Sequence, residues 1–149
     1  MKFSLPFLLA FILWVPAGRA QTIPDAQVPP LTFVALQQLY PEAREVKWKR
    51  TQGWYQASYS HNQTRHLVRF DANGDVQATG DDMPIDALPE PVRYTLTNHY
   101  PSRKFCQAYK VVNTHTGDIT YEIATCESYF SRTVVLTPNG QKAPRTHRW

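Results

Sequence analysis

Histidines, cysteines and clustered acids are the residues best able to do chemistry, and in this chain they are dispersed. The five histidines are His61, His66, His99, His115 and His147. No two of them stand at zinc-ligand spacing with a third ligand at hand, so no metal centre is expected. Asp71, Asn73 and Asp75 in "DANGD" are alternate oxygen donors of the kind that open a calcium loop. That loop requires glycine at its sixth position, where Val76 stands, and a hairpin turn accounts for the same residues. No serine occupies a G-x-S-x-G elbow. Cys106 and Cys126 lack C-x-x-C spacing, and the six glycines form no phosphate-cradling loop. Neither a cofactor nor an enzyme activity is expected.

The address of the chain is easier to read. "MKFSLPFLLAFILWVPAGRA" has a basic start at Lys2, an apolar stretch from Leu5 to Val15, and small residues at Gly18 and Ala20. This pattern predicts a signal peptide over residues 1–20. The apolar run falls short of the roughly 20 residues that span a bilayer, so export with cleavage is expected, with no stable membrane anchor afterwards. Export places the protein in the periplasm or outside the cell. The sequon at Asn62 would matter only in a eukaryotic secretory pathway. Losing Lys2 and Arg19 brings the formal charge from +4 to +2, too little for a nucleic-acid footprint. The basic stretch 143–149 reads as a solvated tail.

The elements that must position any site show a repetition. "LQQLYPEAREVKWK" (Leu36–Lys49) is answered by "LTNHYPSRKFCQAYK" (Leu96–Lys110), and "VRFDANG" by "VVLTPNG". Each copy opens with a helix. Phe33, Leu36 and Tyr40 share one face of the first, and Val92, Leu96 and Tyr100 share one face of the second. Pro41 and Pro101 force the preceding tyrosine out of helical geometry and stop each helix. Strands follow. Val46 and Trp48 alternate with Lys47 and Lys49, Tyr55, Ala57 and Tyr59 alternate with polar residues, and a last short strand covers about Asp75 to Thr79. The predicted layout has an extension over 21–27, a first unit over 28–79, an acidic, proline-rich linker over 80–88 and a second unit over 89–142.

An even cysteine count in an exported chain favours a Cys106–Cys126 disulfide. With those two opposite each other, Lys110 faces Glu122 and Ala108 faces Ala124. Tyr109 then meets Ile123, and Val111 meets Tyr121, in an apolar layer. The opposite, open face would carry Lys47, Lys49, Trp54, Gln56 and Ser58 in the first unit. In the second it would carry Lys110, Val112, Thr120 and Glu122. A tryptophan among lysines suits a recognition patch; it can equally fold over a neighbouring strand.

A helix ending in Tyr-Pro, a "VKW" strand, a hairpin and "VRFDANG" resembles the PepSY-like, beta-lactamase-inhibitor-like family of exported bacterial proteins. In the first copy the residues that carry it include Leu36, Tyr40, Pro41, Val46, Trp48, Val68, Phe70, Asp71, Asn73 and Gly74. In the second they include Val92, Tyr100, Pro101, Val134, Leu136, Asn139 and Gly140. The resemblance implies an α+β fold with two tandem helix-plus-antiparallel-sheet units and helices packed on one face of a curved sheet. It also implies binding of a protein partner, such as an exported enzyme or peptidase, on the open sheet. No set of functional residues transfers with the resemblance, and the open face itself gives the candidate binding residues Lys47, Lys49, Trp54, Gln56, Lys110 and Glu122. A small ligand held in a cleft between the units is the alternative.

Overall fold

The computed structural model describes residues 21–51, 53–126 and 132–144; the expected signal peptide and most of the basic tail lie outside them. Eight strands form one sheet: β1 (Gln21–Ile23), β2 (Lys47–Thr51), β3 (Trp54–His61), β4 (Thr64–Phe70), β5 (Val76–Met83), β6 (Phe105–Asn113), β7 (Ile119–Thr125) and β8 (Thr133–Leu136). Their spatial order is their chain order, with every pair antiparallel. Two helices, α1 (Pro30–Leu39) and α2 (Glu90–His99), each follow a 3₁₀ turn. The sheet is curved, and the whole is α+β as the sequence predicts.

Local chemistry sets the helix ends. Pro29 and Pro89 precede α1 and α2 in extended geometry, and proline sits in each first turn, where a missing N–H is no loss. Tyr40 and Tyr100 leave helical geometry at φ −133° and −136°, immediately before Pro41 and Pro101. Two glycine turns then dock on the helices. Gly74 (φ +90°) lies against Leu31 and Ala35 of α1, and Gly140 (φ +77°) lies against Pro91 and Thr95 of α2. Each contact is pinned by a threonine hydroxyl: Thr32 Oγ1 donates to Asp71 O at 2.8 Å, and Thr95 Oγ1 donates to Gly140 O at 2.7 Å. The "DANGD" residues close a turn, with Asp71 Oδ1 accepting the N–H groups of Asn73 and Asp75 at 2.9 and 3.0 Å.

Both helices cover the same side of the sheet. Leu36 packs with Trp48, Ala57, Tyr59, Val68 and Phe70, and Leu96 with Ala108, Tyr121, Ile123, Val134 and Leu136. Trp48 and Phe70 are about as buried as side chains become, at 1% and 0% exposure. Truncating either to alanine would cost about 3–5 kcal/mol.

The stretch 80–88 departs from the expected linker. The strand expected to end near Thr79 continues to Met83 and pairs with β6 from Ala78 to Met83. Gly80 permits this, because a β-carbon there would sit 3.0 Å from both Leu67 and Val111. The two acids that suggested a solvated link have basic partners one strand away. His66 Nδ1 is 2.7 Å from Asp81, and Arg65 Nε donates to Asp82 at 3.2 Å. Strand β5 thus serves both halves, Val76 packing on the first core and Met83 on the second.

The register of β6 is the second correction. Cys106 and Cys126 are bonded, with Cα atoms 5.1 Å apart, as expected. Phe105, however, pairs with Thr125 and Gln107 with Ala124, leaving Cys106 as the extra residue of a bulge. From there Ala108 meets Ile123, Tyr109 meets Glu122, Lys110 meets Tyr121 and Val111 meets Thr120. One unpaired residue moves every later side chain of β6 to the other face. Ala108, Lys110 and Val112 therefore point to the helix side, and Tyr109 and Val111 to the helix-free side. The faces of Thr120, Tyr121, Glu122 and Ile123 on β7 are as expected.

Candidate functional site

The helix-free side of the sheet is organised around Arg69, a residue that sequence reasoning did not select. Arg69 lies on β4 and is 4% exposed. Its Nη1 and Nη2 donate to the two carboxylate oxygens of Glu122 on β7, at 2.8 and 2.7 Å. Its Nε donates to Gln56 Oε1 on β3 at 3.1 Å. The guanidinium carbon stands 4.8 Å from the ring centroid of Trp54, so the cation also rests on the indole. A buried arginine without such partners would be too costly to keep. "HLVRF", with a lone arginine inside an apolar strand, was the available signal.

Glu122 lies three strands away from Arg69, at a spacing of about 4.8 Å per strand. Their two-bonded contact runs over the helix-free side, above the small buried residues Ala78 and Gly80 of the intervening β5. Trp54, Gln56 and Glu122, three of the six expected binding residues, are thus brought together and half-buried. Trp54 does fold over its neighbouring strand, while remaining part of the face.

Lys47 and Lys49 are exposed on β2 at the rim of the same face, paired with Ser58 and Gln56. Lys47 also lines a recess of about 250 Å³ with Ser58, Ser60, Arg65 and Tyr109. Burial, reinforced by the nearby Asp82 and only partly offset by Arg65, holds the Tyr109 phenol above its ordinary range. It therefore stays a neutral hydroxyl, and it accepts a 2.8 Å hydrogen bond from Gln107 Nε2. Lys110 is not brought to this face. It is exposed on the helix side, paired with Asp81 and Tyr121.

His66 and Asp81 are also on the helix side, the imidazole stacked on Tyr59 at 5.3 Å between centroids. Among the described residues no three His, Cys, Asp or Glu side chains gather closely enough to hold a metal ion. The helix-free face instead has a hydrogen-bonded polar-aromatic centre, hydroxyls beside it and exposed lysines at its rim.

Solved structures share this architecture. The fold is similar to that of BLIP-like proteins. A BLIP-like protein from Bacteroides fragilis superposes with a TM-score of 0.52 at 20% identity, covering 82% of this chain and 85% of its own. A DUF2874 family protein from Bacteroides uniformis gives 0.59 at 19% identity, and a candidate periplasmic protein from Bacteroides eggerthii gives 0.61 at 17%; each match covers 78% of this chain and 86% of the other. At these identities the likeness is one of fold. No family model and no curated protein matches the sequence. No described helix is long and apolar enough to cross a membrane.

Proposed function

We propose that this is an exported, non-catalytic binding protein that takes a protein partner on the helix-free face of its sheet and so inhibits or modulates a periplasmic or secreted enzyme. The 28–79 and 89–142 segments are read as two PepSY-like copies of one unit, joined through β5. The observation that carries the reading is the preorganised centre of that face. Arg69 is fixed by Glu122, Gln56 and Trp54 before any partner arrives, so little ordering is left to oppose association. Exposed Lys47 and Lys49 at the rim would steer an acidic surface toward it. The BLIP-like fold and the candidate periplasmic neighbour support the same reading.

The test is capture of partners from a periplasmic extract of the producing cell, with the wild type beside Trp54→Ala, Lys49→Glu and Lys110→Glu. The first two variants should lose a partner that wild type and Lys110→Glu both retain. If the same partners bind all four proteins equally, this face is not the binding surface.

A further inference from the structure

Behind each Tyr-Pro turn, at the C-terminal end of each helix, lies a groove. The two grooves occupy corresponding places in the halves and differ in volume and charge. The first, of about 500 Å³, lies beside Leu36, Tyr40 and Trp48, with Asp25, Arg44 and Glu45 as its charged residues. The second, of about 670 Å³, is lined by Ile85, Leu96, Tyr100 and Phe105, with Asp86, Arg93 and Arg103 as its charged residues.

Position by position the second groove gains two arginines, together with Asp86 where the first half has Ala26. Arg93 stands where the first half has Phe33, and Arg103 where it has Ala43. On the sheet beneath, Ala108 pairs with Met83 and Ile123 as Trp48 pairs with Ile23 and Ala57. An indole has been replaced by a methyl group, and Ile123 in place of Ala57 returns only part of that volume. The apolar wall is aromatic, Tyr100 and Phe105 meeting edge to face at 6.2 Å. Arg103 is half-buried with its guanidinium 5.9 Å from the Tyr100 ring, and Arg93 is exposed. Neither arginine has a carboxylate within ion-pair distance among the described residues.

We propose that the second groove binds an apolar molecule bearing one carboxylate, its body against Leu96, Tyr100 and Phe105 and its head group on Arg93 and Arg103. The volume lies within the range of small-molecule sites, and a mostly apolar wall with a few polar groups is their usual composition. Guanidinium groups match a carboxylate in geometry as well as charge. The corresponding groove, with two acids to one arginine and a tryptophan at its base, is the built-in comparison and would not take this ligand. The site is separate from the helix-free face, so its failure leaves the proposed function untouched.

Decanoate serves as the probe, titrated into the exported chain while backbone amides are followed by nuclear magnetic resonance, with decanol as the uncharged comparison. Shifts are expected at Thr97, Arg103 and Phe105 and not around Gln37 and Val46. Decanoate should bind at least about tenfold more tightly than decanol, and Arg93→Glu/Arg103→Glu should lose about tenfold in affinity for decanoate. Because the decanol arm uses the wild-type protein, it stands even if the variant folds poorly. Absence of shifts in this groove, equal affinity for acid and alcohol, or unchanged decanoate affinity in a folded variant would each overturn the proposal.

Discussion

Arg69 on β4 and Glu122 on β7 are 53 residues apart in sequence and form two hydrogen bonds, at 2.8 and 2.7 Å, across the two strands between them. Their side chains are 5% and 14% exposed. The pair ties the first half of the sheet to the second on the side that no described helix covers. Arg69 also rests its guanidinium on the Trp54 ring, 4.8 Å from the centroid.

Removing one partner strands the other charge in a desolvated trough. Glu122→Leu or Arg69→Met should each destabilise the protein by about 3–5 kcal/mol, and the Arg69→Met/Glu122→Leu double variant should recover most of the loss. Urea unfolding of the four proteins as a double-mutant cycle measures the coupling. A near-zero coupling energy would mean that the pair does not tie the two halves of the sheet together.

The glycine turns give a graded test of helix docking. A β-carbon at Gly74 would fall 2.8 Å from Leu31 O and 3.2 Å from Ala35 Cβ, whereas one at Gly117 (φ +75°) would meet nothing within 4 Å. Gly117→Ala should cost about 1 kcal/mol for its left-handed backbone alone. Gly74→Ala and Gly140→Ala should cost clearly more, by a further ~1–2 kcal/mol each, because helix and turn must separate. Equal costs at the three sites, read from thermal or urea midpoints, would argue against tight docking.

Alkaline pH should weaken the fold through Tyr59. Its hydroxyl donates to Glu42 Oε1 at 3.3 Å, and burial first, then the Glu42 charge, push the phenol far above its ordinary value near 10. The folded protein keeps this proton at a pH where the unfolded chain releases it. Stability is therefore complete below about pH 10 and falls as the pH rises beyond it. Tyr40 and Tyr109 shift in the same direction. Urea midpoints at pH 8 and pH 11 should diverge in the wild type and diverge less in Tyr59→Phe. The same divergence in both would remove Tyr59 from the account.

Much of the architecture is local in origin, and so it was legible from the residues. Prolines around each helix, alternation such as Tyr55–Ala57–Tyr59, and Asn-Gly turns act over a few neighbours, which is why helices, hairpins and the apolar side of β2 and β3 could be read directly. Two cysteines in an exported chain implied their own pairing. Tertiary structure decided what depends on accumulated register and on distant partners. A single bulged residue at Cys106 reversed β6, so Lys110 left the candidate face and Tyr109 joined it. Gly80, lodged between Leu67 and Val111, turned an acidic linker into a strand shared by both halves. Arg69 found Glu122 only because the sheet curls, and curvature is a property of all eight strands together that no short stretch of sequence records.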